Sequence, residues 1–152
     1  MIKSYLRAAA VGLLAAAGLG LTATAVPANA STAATYYYLV GGGRCLDGNG
    51  SSAYMSTCGN GNQYQQWQIV GSGTLKAFKQ RATGKCLDAS GSRVYMGSCN
   101  NSNYQAWTAL TQGRWQHKQS GKCLGHGPNV KLSVTCGTAV GTPVIWSLRT
   151  SV

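Results

Sequence analysis

Two side chains in this 152-residue chain carry a carboxylate, Asp47 and Asp88, and there is no Glu. Each closes a Cys-Leu-Asp triplet, Cys45-Leu46-Asp47 and Cys86-Leu87-Asp88. A carboxylate is a strong hydrogen-bond acceptor and suits the fixing of hydroxyl groups. The same residues, in Asp47-Gly48 and Asp88-Ala89-Ser90-Gly91, also suit tight turns, so both roles stay open. Glycoside hydrolysis takes two carboxyl groups within about 5–10 Å. Asp47 and Asp88 stand at equivalent positions of two sequence repeats, so the fold is expected to hold them well apart. His117 and His126 have no evident carboxylate partner or nucleophile motif, and His126 reads as a surface residue in a Gly-Pro turn. There is no phosphate-binding glycine loop and no metal-ligand set. The chemistry on offer is therefore binding, not catalysis, and no cofactor is expected.

The six Cys reveal what positions these residues. Cys45, Cys86 and Cys123 are each followed thirteen residues later by a second Cys: Cys58, Cys99 and Cys136. Gly and a basic residue precede each first Cys (Gly43-Arg44, Gly84-Lys85, Gly121-Lys122), and Leu46, Leu87 and Leu124 follow. An aromatic residue stands eight positions before (Tyr37, Phe78, Trp115) and a Trp 21 to 23 after (Trp67, Trp107, Trp146). Between Cys45–Cys58 and Cys86–Cys99, eight of fourteen positions are identical. Features in step three times mark a repeat architecture. If each repeat is one module, Cys45–Cys58, Cys86–Cys99 and Cys123–Cys136 pair within it. Each bridge closes a loop of about 14 residues and stabilises by about 3 kcal/mol in the chain-entropy model. Zinc is the competing reading, but there is no Cys-x-x-Cys pair.

The elements around the Cys read as short strands. Tyr36-Tyr37-Tyr38-Leu39-Val40, Trp67-Gln68-Ile69-Val70 and Val144-Ile145-Trp146-Ser147-Leu148 are rich in strand formers, and Gly- and Asn-rich turns separate such runs. No capped amphipathic helix is predicted after residue 30. The expectation is an all-β barrel or sandwich of threefold symmetry, in which Trp67, Trp107 and Trp146 share one core. The first thirty residues differ. Lys3 and Arg7 precede an apolar run from Ala8 to about Gly20, and Ala28 and Ala30 fit a small-x-small cleavage pattern. Residues 1–30 are therefore expected to be a signal peptide and the product to be extracellular, with no membrane span after cleavage. The formal net charge is +11, or +9 without Lys3 and Arg7. Such a surface favours solubility and attracts anionic polymers. Its basic residues stand singly, so a nucleic-acid partner is not expected.

The Cys-Leu-Asp triplets, taken with Gln65-Gln66-Trp67 and Gln105-Ala106-Trp107, resemble the ricin-B-type lectin family with its Q-x-W repeats. The resemblance implies a β-trefoil over 36–152, with an α lobe at 36–75, a β lobe at 76–114 and a γ lobe at 115–152, after a tail at 31–35. It also implies a carbohydrate-binding module without catalytic activity. The candidate carbohydrate contacts are Asp47 and Gln65 in the α lobe and Asp88 and Gln105 in the β lobe, at the family's motif positions, with Tyr54, Tyr64, Tyr95 and Tyr104 as rings that stand where the family has other residues.

The pattern departs from the family at definite places. The family's aromatic platform usually lies two residues before the second Cys, where this chain has Ser56, Gly97 and Val134. A Gln or similar residue usually lies four before it; here stand Tyr54, Tyr95 and Leu132. The stacking ring is then expected at Tyr54 and Tyr95 or at Tyr64 and Tyr104, with core or lobe packing as the other use of these rings. In the γ copy, Gly125 replaces Asp and Val144 replaces Gln, so no usual sugar site is expected there. The expected partner is a glycan or glycoconjugate, including an anionic one. The alternatives are a protein partner, with the chain acting as an inhibitor of a secreted hydrolase or a targeting subunit of a toxin or enzyme, and an anionic polymer of the cell wall.

Overall fold

The Gly before each basic-Cys pair marks where each repeat turns. Gly43, Gly84 and Gly121 have φ of 75°, 68° and 68°, a left-handed conformation that side-chain-bearing residues rarely adopt. This is why Gly recurs there three times. The computed structural model describes residues 33–127, 129–133, 136 and 144–151. The expected signal peptide, residues 31 and 32 of the tail, and Val134 lie outside them.

Each repeat contributes four strands. The first holds β1 (Tyr37–Gly41), β2 (Arg44–Asn49), β3 (Ser52–Ser56) and β4 (Trp67–Val70). The second holds β5 (Leu75–Gln80), β6 (Cys86–Ser90), β7 (Arg93–Gly97) and β8 (Trp107–Leu110). The third holds β9 (Arg114–His117), β10 (Cys123–Gly125), β11 (Lys131–Ser133) and β12 (Ser147–Thr150). The helical content of the described residues is two 3-10 turns, Gln63–Gln65 and Thr111–Gly113. Among those residues no helix is long and apolar enough to cross a membrane.

The outer strands pair antiparallel in the order β12–β1–β4–β5–β8–β9. The inner strands form three hairpins, β2–β3, β6–β7 and β10–β11, linked through β3–β7 and β7–β11. Barrel plus three-hairpin cap is the β-trefoil arrangement. The strand expected over 144–148 starts only at Ser147. Trp146 N donates instead to Gly113 O at 3.0 Å, outside the ladder, while Val144 and Trp146 face inward and Ile145 faces out.

The core is threefold. Leu46, Leu87, Leu124, Trp67 and Trp107 have no exposed surface, and Trp146 is buried. A fully buried Leu side chain is worth about 1.5–3 kcal/mol. Each indole N–H, on Trp67, Trp107 and Trp146, donates to the carbonyl of Leu46, Leu87 or Leu124, at 3.0, 3.3 and 2.8 Å. The Trp of each repeat thus satisfies the buried backbone of the Leu that follows the first Cys, which ties the two recurring motifs together. All three disulfides join the Cys within one repeat, each with a Cα–Cα distance of 5.0 Å.

Candidate functional site

Strand alternation decides which residues meet. On β3, Met55 points into the core, so Tyr54 and Ser56 share the outward face. Asp47 on β2 is directly opposite Tyr54, and Asp88 on β6 is directly opposite Tyr95. The carboxylate and the phenol of each lobe therefore lie side by side.

Each carboxylate is held by the Gln of its own lobe. Gln65 Nε2 donates to Asp47 Oδ2 and to Thr57 O, both at 2.9 Å, and its Oε1 accepts from Gly59 N at 2.8 Å. Gln105 Nε2 donates to Asp88 Oδ2 and to Ser98 O, both at 2.8 Å, and its Oε1 accepts from Asn100 N at 2.9 Å. Both N–H groups of each amide are consumed, and the two Gln are almost fully buried. Gln65 and Gln105 thus aim the carboxylates and keep no N–H for a ligand. Asp88 Oδ1 is buried with no hydrogen-bond partner among the described residues. An orphaned carboxylate oxygen is costly to bury and is satisfied when a donor arrives.

In the α lobe, Asp47, Tyr54 and Tyr64 line an open depression of about 250 Å³ together with Asn49 and Asn62. The two Asn were not foreseen as site residues. Asn62 caps the 3-10 turn, its Oδ1 accepting from Tyr64 N at 3.1 Å, which sets the position of Tyr64. Asn49 differs from its β-lobe counterpart Ser90, so the repeat gave no signal for it. Tyr64 and Tyr104 are 46% and 43% exposed, enough to offer a ring face to a ligand. Partial burial and then the Asp47 charge raise the Tyr54 phenol above its ordinary pKa of 10.0. Burial and Asp88 do the same to Tyr95, and Arg93 opposes them.

In the β lobe, Asp88, Tyr95 and Gln105 come together as in the α lobe. The family's platform position is tight there. A Cβ on Gly97 would lie 3.2 Å from Asp88 Oδ2 and 3.4 Å from Gln105 Nε2, so a side chain at that point presses on the Asp–Gln pair. Tyr104 is fixed through its backbone: its carbonyl accepts from Ala89 N at 3.1 Å and meets His117 Nε2 at 2.9 Å. Gln80 does the equivalent for the α lobe, donating to Tyr64 O at 2.6 Å. Burial pushes His117 below its ordinary pKa of 6.5, against the pull of the Tyr104 carbonyl and Asp88.

In the third repeat Gly125 has no carboxylate to offer, and Val144 is buried where the Gln would stand. His126, expected at the surface, is instead 95% buried, its exposure being 5%. It stacks edge-on against Trp146 at 5.0 Å, and its Nε2 meets Ile145 O at 2.9 Å. The ring occupies the space above Gly41, where even a Cβ would come within 2.4 Å of it. A small residue opposite it is what admits His126 to the interior. Among the described residues no group of three potential metal ligands occurs.

A family model described as the ricin-type beta-trefoil lectin domain matches residues 35–139. No curated protein matches the chain in sequence. Among solved structures it resembles the cytolethal distending toxin of Actinobacillus actinomycetemcomitans, with a TM-score of 0.67 and 20% identity over 77% of this chain and 92% of that one. It also resembles ThreeFoil, a designed threefold-symmetric protein, with a TM-score of 0.61 and 24% identity over 74% and 96%. A non-toxic homologue of type II RIPs from Momordica charantia, solved with α-methyl-D-galactoside, gives a TM-score of 0.66 and 15% identity over 76% of this chain and 48% of that one. At these identities the likeness is one of fold.

Proposed function

This chain belongs to the ricin-type β-trefoil lectin domain family, and on that premise we propose that it is an exported glycan-binding module with one site in the α lobe and one in the β lobe. The observation that carries the reading is the repeated Asp–Gln pair. The only two acidic side chains of the chain occupy equivalent positions, and each is aimed by three hydrogen bonds on its Gln. A sugar presents a rim of hydroxyls and a face of C–H groups. Asp47 and Asp88 accept from the hydroxyls, and Tyr54 and Tyr95 donate to them. Tyr64 and Tyr104 supply the ring for the C–H face, in place of the usual platform. Two shallow sites on one chain gain by acting together on a multivalent glycan. Nothing in this chemistry transforms the ligand, so the module binds without catalysis.

Residues 1–30 act in this reading as the export signal, and the mass of protein recovered from culture fluid tests it: cleavage after Ala30 is expected. The sugar reading is tested by a glycan array on the native chain beside Asp47→Asn, Asp88→Asn and the double variant. Each single variant should lower retention by roughly tenfold, as loss of a charged acceptor predicts, and the double variant should bind nothing. Equal binding by the native chain and the double variant would overturn the assignment. Ser56 and Gly97 at the platform position favour a second reading, a trefoil that docks on a protein. No glycan retained by the native chain, with a defined protein captured from the same medium, would establish that reading instead.

A further inference from the structure

The cap hairpins join through their turns. Met96 N donates to Ser51 O at 3.0 Å, and Ser52 is the cross-strand partner of Tyr95. The next junction is similar: Leu132 N donates to Ser92 O at 3.0 Å, and Lys131 is the cross-strand partner of Arg93. Between the first two hairpins lies a depression of about 460 Å³, lined by Ser51, Ser52, Ser90, Arg93 and Tyr95 and by no acidic side chain.

At the edge of this depression Arg93 meets an unfavourable charge: its cross-strand partner on the third hairpin is Lys131, which stands beside the depression and not in its lining. Arg93 and Lys131 face each other across an antiparallel pair and are both exposed. Like charges so placed repel. The two carboxylates of the chain cannot offset them from within the depression, since both are held by Gln in their own lobes. An oxyanion would remove the repulsion. The arginine fork grips such a group by paired hydrogen bonds, and serine hydroxyls beside it add donors. Tyr95 connects this depression to the β-lobe site, for it lines the one and is the strand partner of Asp88 in the other. Tyr95 is thus common to both.

We propose that the β lobe takes an acidic saccharide, whose sulfate, phosphate or carboxylate group sits between Arg93 and Lys131 while its ring hydroxyls meet Asp88 and Tyr95. The proposal rests on the reading of Asp88 as a hydroxyl acceptor and names the ligand class for that site. Arg93 and Lys131 then set specificity, and Asp88 sets binding as such.

Two measurements on the full mature chain test it, with the variant pair Arg93→Gln and Lys131→Gln combined. Both residues are exposed, so the fold should tolerate the change. In the first, inorganic sulfate is titrated against chloride at equal ionic strength, and amide NMR shifts of Ser51, Ser52, Ser90 and Tyr95 are followed. Saturable shifts are expected in the native chain and none in the double variant. In the second, matched neutral and sulfated forms of the same glycans are arrayed. The native chain should prefer the sulfated form by about tenfold or more, as a charge-assisted contact predicts. The double variant should bind both forms equally, and Asp88→Asn should weaken both. Sulfate shifts that do not saturate, or a preference for sulfated glycan that survives in the double variant, would overturn the proposal. Saturable sulfate binding with no glycan of either form retained would reject the sugar assignment of Asp88 and identify a free oxyanion as the ligand.

Discussion

In the second repeat Trp107 donates to Leu87 O and Gln105 donates to Asp88. In the third repeat Trp146 still donates to Leu124 O, but Gly125 and Val144 stand where the carboxylate and amide would be. The two repeats share the indole–carbonyl bond of the core and differ in the amide–carboxylate bond of the proposed site. The lesson is that the two bonds are separable. The indole–carbonyl link lies in the core and is needed wherever the fold is. The amide–carboxylate link lies outside the shared Leu–Trp core, and the third repeat keeps its strands without it. The third repeat uses its freedom for packing, since His126 fills space at the position held by Gly48 and Ala89 in the other two.

The sharpest way to break this comparison is at the shared bond. Trp107→Ala and Trp146→Ala should each cost about 3–5 kcal/mol, the usual loss for a buried large aromatic. Equilibrium unfolding in denaturant measures both. A large loss in one repeat and a negligible one in the other would show that the scaffold is not threefold. The next effect separates the repeats. Gln105→Leu leaves Asp88 Oδ2, Ser98 O and Asn100 N without their partner, at a cost of about 1–3 kcal/mol. It should also abolish β-lobe glycan binding by calorimetry, whereas Val144→Ala should leave glycan binding untouched. Loss of binding in the Val144 variant would mean that the third repeat holds a site after all.

The smallest effect concerns the lobe junctions, where Gln80 and His117 occupy equivalent positions and reach Tyr64 O and Tyr104 O. His117 has its folded pKa held below 6.5 by burial, so the fold favours the neutral ring. Its contribution is full above about pH 6.5, the unfolded value, and is lost as pH falls through the folded value. His126 is depressed for the same reason and acts in the same direction. His117→Gln keeps a donor for Tyr104 O and removes one titrating ring. The thermal midpoint should then fall less steeply with pH below 6.5 than in the native chain, with the remaining slope due to His126. An unchanged slope would remove His117 from the account.

The features legible in the sequence are those that recur because the backbone demands them. Gly43, Gly84 and Gly121 mark left-handed turns, the Cys spacing marks the bridges, and Leu and Trp mark the core. The Asp positions were legible because acidic residues are so scarce here. What could not be read is whatever depends on contacts across repeats or on the reach of one side chain. The burial of His126 depends on the smallness of Gly41, 85 positions earlier in the chain. The role of Gln65 and Gln105 depends on which atoms their amides meet, and a Q-x-W motif carries the residue but not the bond. Asn49 and Asn62 enter the α-lobe depression by turn geometry that the repeat spacing does not encode.

The seam of the barrel joins β1 to β12, and Tyr36 O accepts from Ser151, 115 residues away. One edge of β1 faces β2 and β4, and the other is covered by β12. During synthesis that second edge stays open until β12 emerges. At about 5–20 residues per second, 115 residues take roughly 6–23 s. For that time the Tyr-rich first strand has an unpaired backbone edge, the feature on which neighbouring nascent chains pair wrongly. Geometry thereby sets one limit: the β1–β12 seam cannot close before β12 is available, whereas each cap hairpin is local in sequence.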